Sequence, residues 1–359
     1  MRRLTVSQRQ ALLKWGCLLL SAVMLIGSFA AVPYIVKALP RLSGSVARDF
    51  FYGEPALGED IPTFALGSGV SEMPEVEDAE GEYEPENPIP IPVPGEYDLP
   101  VTPSNLCWYE VGENASLNII NRTKFDVNLN SYLENEFPIG GSLPEKAPLV
   151  LIVHTHGSES YLENGYDFYS PEETFRSEDK SRNVVHIGEV LCEKLNSLGI
   201  RTIHDTSMYD TVDFNKSYAY SREGIKKALA ENPTIRFVID LHRDSVFDSN
   251  DNNIKPLTTI DGKKCAQLML VVGTNQGGSD HPNWRDNLTF ATYLQQKMND
   301  MYPTLARPIN LRTAAFNQGL SSGSVLLEVG SCGNTQEEAE NAVLLFAECY
   351  ASLVREQME

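Results

Sequence analysis

Leu149-Val150-Leu151-Ile152-Val153-His154-Thr155-His156-Gly157-Ser158-Glu159-Ser160-Tyr161 is the stretch from which the fold is read. Its five leading apolar residues suit a buried strand, and the abrupt change to polar residues marks where that strand opens into a loop. In open α/β sheets the carboxyl ends of strands are where ligands bind. Two imidazoles and a carboxylate therefore stand at a position where chemistry is expected.

Working outward from Pro148, the pattern is βαβα. Candidate strands cover 149–153, 200–203, 235–241, 266–273, 309–313 and 324–329. Helical spacing of apolar residues runs over 183–195, with Gly199 as the stop, and then over 221–230, 287–301 and 336–356. Strands alternating with helices of this length imply an α/β fold: a mostly parallel or mixed sheet with helices on both faces. Residues 106–147 read as a lead-in of one or two short strands and a helical turn. With the βαβα region they make up one domain over 106–359.

The amino-terminal part reads differently. Residues 1–14 are basic, and an uncharged apolar run from Trp15 to Val36 is long enough to cross a bilayer. The basic flank comes first, so the N-terminus is expected in the cytoplasm and the rest outside it. The rival reading is a signal peptide cleaved near Ser28-Phe29-Ala30. Residues 37–105 read as an acidic, proline-rich linker. No Lys or Arg occurs from Asp49 to Asn121, and Asn87-Pro88-Ile89-Pro90-Ile91-Pro92-Val93-Pro94 favours extended polyproline II. The net charge of −20 over 359 residues argues against a nucleic-acid partner. Six scattered cysteines show neither a CxxC pair nor finger spacing.

Three predicted strands end in, or contain, reactive groups. The first delivers His156 and Glu159. The second, Phe237-Val238-Ile239-Asp240-Leu241-His242-Arg243-Asp244, delivers His242. The third, Ser324-Val325-Leu326-Leu327-Glu328-Val329-Gly330, holds a carboxylate inside an apolar run. A lone buried carboxylate needs a partner to offset its lost hydration. Hydrolytic zinc takes three ligands from His, Asp and Glu and leaves a fourth position open. His156, Glu159 and His242 supply such a set, with Asp179 as the alternative carboxylate. Glu328 is the candidate base that passes a proton to the leaving amine, and partial burial would raise its pKa toward that task. Arg243 is a candidate for binding a substrate carboxylate or oxyanion, or else pairs with Asp240 or Asp244. His154 is given a supporting or substrate-side role. His186 and His204 are read as structural, and His281 as part of a helix-start loop.

His154-Thr155-His156-Gly157-Ser158-Glu159-Ser160-Tyr161, Asp240-Leu241-His242-Arg243-Asp244 and Leu327-Glu328-Val329-Gly330 with Asn334-Thr335 together resemble the signature blocks of the stage II sporulation protein P family. The resemblance covers roughly 105–355 plus the anchor. It implies a membrane-anchored peptidoglycan hydrolase with a fold like that of zinc-dependent N-acetylmuramoyl-L-alanine amidases. It also implies endopeptidase activity, action in the septal space during engulfment, and partner sporulation proteins including a lytic transglycosylase. By likeness, His156 and His242 match the family's metal histidines and Glu328 its catalytic glutamate. The His-x-x-Glu spacing also resembles zinc carboxypeptidases and favours Glu159 over Asp179. Two further readings stand beside the amidase: a non-catalytic septal binding scaffold, and a carboxypeptidase-type zinc peptidase with Arg243 or Arg312 holding a terminal carboxylate.

Overall fold

The computed structural model describes residues 92–107, 116–142 and 146–358. The expected span at 15–36 and the acidic part of the expected linker lie outside the described residues. No helix among the described residues is long and apolar enough to cross a membrane.

In chain order the elements are β1 (Leu99–Pro100), β2 (Thr102–Ser104), β3 (Ile119–Asn121), α1 (Leu129–Tyr132), β4 (Val150–Val153), β5 (Phe168–Tyr169), α2 (Val184–Ser197), β6 (Thr202–His204), α3 (Ser217–Glu231), β7 (Phe237–Asp244), β8 (Ile254–Ile260), β9 (Lys263–Ala266), β10 (Leu268–Val272), α4 (Trp284–Met301), β11 (Ile309–Leu311), β12 (Gly323–Ser331) and α5 (Gln336–Met358). The main sheet has seven strands in the order β3-β11-β10-β12-β7-β4-β6. Every neighbouring pair is parallel except β10 and β12, which run antiparallel with Met269 opposite Glu328. The sheet is thus mixed, made of two parallel blocks joined at one reversal.

Alternation along the strands divides the core between two faces. Ile152, Ile239, Val325 and Leu327 face one side and pack with residues of α2, α4 and α5, including Leu191, Phe290 and Phe346. Phe237 is fully buried on this side, and truncating such a ring to Ala costs about 3–5 kcal/mol. On the other face Leu151, Val153 and Val238 meet Tyr220, Ile225 and Ala228 of α3. Farther along that face Met269, Val271 and Leu326 form a small apolar patch, and Phe316, from the loop before β12, packs on it. The helices therefore cover the two faces unequally, and Glu328 lies on the face with less helical cover.

The helix limits follow local chemistry. Val184, Ile187, Leu191 and Leu195 form the buried stripe of α2. The Asn183 side chain accepts a hydrogen bond from Val185 N at its start. Past its end, Ile200 N donates to Leu195 O. At α5, Glu338 N donates to Thr335 Oγ1 and Thr335 N donates to Glu338 Oε2, a reciprocal capping box.

Three expectations change. The run 266–273 is not one strand: it breaks at Gln267, whose buried amide donates to Thr304 O and Asn105 Oδ1. Ala266 instead ends β9, which follows the turn at Asp261-Gly262, both at positive φ, and pairs with β8 in a separate three-stranded sheet, β2-β8-β9. Residues assigned to the linker by composition, Leu99–Pro100 and Thr102–Ser104, are strands paired with β5 and β8. Strand β7 continues to Asp244, so His242 and Arg243 lie within it rather than beyond its end.

Candidate metal and catalytic site

Strand β7 sets the frame. Asp240 and His242 alternate onto the α3 face, and Glu328 of β12 is the register partner of His242. The segment after β4 is drawn toward β7 because Thr155 N and Oγ1 donate to the two oxygens of Asp240, at 2.8 and 2.6 Å. That turn breaks the strand's alternation and brings His156 onto the site. Just past Glu328 the β12 register shifts, with Gly330 at φ 63°. A Cβ there would stand 2.5 Å from Asn334 Oδ1, so only glycine fits the bulge that ends the pairing.

His156, Glu159, His242 and Glu328 come together. The His156 and His242 rings are 5.4 Å apart and nearly perpendicular. His156 also stacks on Phe214 at 4.7 Å and meets the edge of Tyr218 at 5.5 Å. Its Nδ1 is buried without a hydrogen-bond partner. Burial pushes its pKa down to about 4, against the opposing pull of Glu159, so the ring is neutral with a free nitrogen.

His242 lies between two carboxylates. Its Nδ1 is 3.3 Å from Glu159 Oε2, and its Nε2 is 2.9 Å from Asp240 Oδ1, an ion-pair distance without hydrogen-bond geometry. Burial opposes its charge, but Asp240 and Glu159 outweigh burial and hold the pKa well above the ordinary histidine range. Burial likewise works against the Glu159 carboxylate, yet His242, Arg243 and His156 hold its pKa far below the usual range. Glu328 behaves oppositely. It is partly exposed as a residue, but its Oε2 is closed off and unpartnered. Loss of water, then the negative charge of Asp244, raises its pKa to about 8 against the pull of His242 and Arg307. One carboxyl is held ionised and its neighbour near neutrality, the separation that acid–base chemistry uses.

The structure corrects the reading of Arg243. Because β7 continues past His242, Arg243 points to the opposite face. There Nε donates to Ser160 O at 3.1 Å, Nη2 to Phe175 O at 2.7 Å and Nη1 to Ser245 Oγ at 3.0 Å. Its backbone N donates to Glu159 Oε2 at 3.3 Å. It therefore clamps the Glu159 loop instead of facing substrate, and it pairs with neither Asp240 nor Asp244. Asp244 is held by Arg307 at 2.8 Å.

His154 is fully buried on the α2 side. Its Nδ1 donates to Leu241 O at 2.9 Å, and its Nε2 meets His204 Nε2 at 2.7 Å. His204 Nδ1 lies 3.1 Å from Glu189. A Cβ on Gly188 would stand 2.5 Å from His154 Nε2 and 2.7 Å from His204 Nε2, so α2 passes close over this pair. His154 supports β7 from behind. Asp179 is exposed and accepts from Ser181 N and Oγ, capping a short turn outside the cluster. His186 pairs with Glu340 of α5, and His281 Nδ1 donates to Asn283 Oδ1 at the start of α4. The loop before β12 does reach the site: Phe316 packs near Tyr218, at 5.9 Å between rings, and Tyr218 touches His156. Asp240, Asp244 and Arg307 were not singled out from sequence as site groups. The alternation of β7 was the available signal for the two aspartates.

The donor chemistry of His156, Glu159 and His242 fits a zinc ion, and the buried, partnerless Nδ1 of His156 is an unused ligand atom among them. Among the described residues no three His, Cys, Asp or Glu side chains stand as a preformed metal cage; His242 lies against Glu159 and Asp240. Two cavities lie off this cluster. One of about 540 Å³ runs beside β9 and the start of α5, past Lys255 and Lys264. The other, of about 260 Å³, borders Arg243 and Cys332 on the clamp side.

The sequence pattern described as Stage II sporulation protein P matches residues 108–351. A relative from Bacillus subtilis (strain 168), Stage II sporulation protein P, is 29% identical over 216 residues, covering 57% of this chain and 51% of the relative. The chain thus spans about half the length of the curated relative it matches. Among solved structures, the CwlD amidase from Clostridioides difficile in complex with the GerS lipoprotein is similar at 13% identity and a TM-score of 0.36, over 58% of this chain and 98% of that one. The N-acetylmuramoyl-L-alanine amidase AmiC2 of Nostoc punctiforme gives 14% identity and a TM-score of 0.34, over 58% and 96%.

Proposed function

The chain belongs to the stage II sporulation protein P family, and from that premise we propose that it is a zinc-dependent peptidoglycan hydrolase. The reaction is cleavage of the amide between muramic acid and the stem peptide's L-alanine, with endopeptidase cleavage of cross-links beside it. The observation that carries this reading is Glu328: a carboxyl with one oxygen buried and unpartnered, its pKa raised, directly beside His242 in the sheet. A binding scaffold has no need of such a group. Arg243, one of the two guanidiniums that the carboxypeptidase reading would use for a terminal carboxylate, is committed to backbone carbonyls.

His156, Glu159 and His242 would hold the ion. When bound, zinc supplies Lewis-acid polarisation of the scissile carbonyl and acidifies water. Glu328 takes the proton of the attacking water and returns it to the leaving amine, a two-way transfer that a pKa near neutrality permits. Arg243 fixes the loop that carries Glu159, and Phe214 and Tyr218 keep water from His156. The apolar run at 15–36 would anchor the chain so that this domain acts outside the cytoplasm, at the sporulation septum. A lytic transglycosylase among the sporulation proteins is the partner that the family resemblance implies.

Digestion of purified sacculi by the full-length, zinc-loaded protein tests the reading. Mass analysis should find intact glycan strands freed of stem peptides. Release of terminal amino acids alone would favour the carboxypeptidase, and no product with or without zinc would favour the scaffold. His242→Ala should lose zinc by elemental analysis; stoichiometric zinc in that variant would overturn the ligand set.

A further inference from the structure

Two of the buried, partnerless side-chain atoms of the described residues belong to one cluster: Glu328 Oε2 and Arg307 Nη1. Arg307 precedes β11, and its backbone N donates to Leu268 O at 2.7 Å. Leu268 is the register partner of Val329, the residue after Glu328. The Arg307 side chain is thereby delivered across the sheet reversal to the end of β12. Its Nη2 donates to Asp244 Oδ2 at 2.8 Å, which fixes one edge of the planar guanidinium. Its charge and that of Asp244 both act on Glu328.

An N–H with no acceptor in a buried place is a costly arrangement that an incoming oxygen relieves. A guanidinium has only donors, so whatever completes it must be an acceptor. The approach is from the partly exposed side, where the Asp244 side chain is 22% exposed and Glu328 is also partly open. Of the other partnerless atoms, His156 Nδ1 and His242 Nε2 belong to the candidate metal ligands, and His281, Asn310 and Tyr350 are not among the main charges acting on this carboxyl.

We propose that Arg307 is a substrate-anchoring residue whose Nη1 donates to a carboxylate or carbonyl oxygen of the stem peptide beside Glu328. This deepens the hydrolase reading and rests on it for the class of substrate. Asp244 holds the fork in place, and the free nitrogen selects a peptide that offers it an acceptor oxygen. An apolar group there leaves the donor unsatisfied and is disfavoured.

The test uses full-length, zinc-loaded protein with Arg307→Met and Arg307→Lys, and two soluble muramoyl-L-alanyl substrates. In one the second stem residue carries a free carboxylate; in the other that group is an amide. Arg307→Met should lose about ten- to hundred-fold in kcat/KM, the size of a charge-assisted hydrogen bond. A KM increase confined to the free acid assigns the oxygen to the carboxylate. An equal fall in kcat on both substrates assigns it to the scissile carbonyl. Arg307→Lys, which keeps a charged partner for Asp244 and so protects the fold, should lose less than Arg307→Met but remain measurably impaired. Unchanged kinetics in both variants would overturn the proposal. So would a loss fully recovered by moving the pH, because Arg307 would then act only on the proton affinity of Glu328.

Calorimetric binding of the free acid and the amide to Glu328→Gln protein, with and without Arg307→Met, separates this idea from the hydrolase reading. Arg307-dependent binding together with an inert wild type would sink the hydrolase and leave the anchor. Active wild type with equal affinity and kinetics in Arg307→Met would sink the anchor alone.

Discussion

His154 and His156 are two residues apart in sequence and stand in opposite circumstances. His154 has both ring nitrogens engaged, one by Leu241 O and one by His204, and is packed beneath α2. His156 has a nitrogen buried with nothing attached, and its ring is held by aromatic contacts with Phe214 and Tyr218. The turn at Thr155, pulled in by Asp240, sends the two rings to opposite faces of the sheet. Satisfaction separates them more sharply than burial, which both share. A histidine whose hydrogen bonds close within the protein is spent on structure; one left open is available for a ligand.

The contrast can be broken most sharply at Glu328, another open group. Glu328→Gln should reduce turnover by about 10²–10⁴-fold while leaving zinc content unchanged, measured by single-turnover hydrolysis and elemental analysis. Retained turnover would remove the base from the mechanism. The next effect is a pair of opposite outcomes. His156→Ala should lose zinc while costing little fold stability, whereas His154→Ala should keep zinc and lose about 2–4 kcal/mol in denaturant unfolding, since it orphans Leu241 O and His204 and leaves a cavity. If both variants lose metal and stability alike, the two histidines are one unit and the distinction fails.

A smaller effect is expected in the pH dependence of the metal-free protein. The folded state raises Glu328 from an ordinary value near 4.5 to about 8, so it favours the protonated carboxyl. The associated stability is present in full below pH 4.5 and is lost as pH rises through about 8. Glu328→Gln should therefore gain unfolding temperature relative to wild type between pH 4 and pH 9. Parallel curves would mean that Glu328 is not perturbed. The smallest effect belongs to Glu189→Gln, on the closed side. This side chain is 56% exposed, and solvent screening limits its ion pair with His204 to under about 1 kcal/mol. A larger loss in thermal unfolding would show that the closed cluster depends on its outer carboxylate.

These two regions also explain what could be read from sequence. The abrupt end of an apolar run exposes His156 and Glu159 to view, and an acid inside an apolar strand does the same for Glu328. The order of the strands could not be read, because it depends on pairing between distant segments: β12 lies between β10 and β7. Arg243 reads as a substrate-facing candidate because the sequence pattern predicts a strand that stops at Leu241, whereas the strand continues to Asp244. Three more residues of regular alternation place it on the opposite side from His242. Arg307, in Ala306-Arg307-Pro308, carries no local pattern at all. Only the bridge of Ala306 to Leu268 puts it near Glu328. The hairpin β8–β9 is not legible because Ile254-Lys255-Pro256-Leu257-Thr258-Thr259-Ile260 and Lys263-Lys264-Cys265-Ala266 mix lysines, threonines and a proline with apolar residues and form no apolar run.

Gly188, in the middle of α2, carries a consequence for how the sequence can vary. Glycine inside a helix is less favourable than alanine by about 1 kcal/mol, so a random substitution to alanine would ordinarily be welcome. Here a single added methyl group would stand 2.5 Å from His154 and 2.7 Å from His204. Positions 154, 188 and 204 are thereby tied into one unit of inheritance. A relative with smaller residues at both 154 and 204 is released to carry alanine at 188, while one that keeps either imidazole is held to glycine.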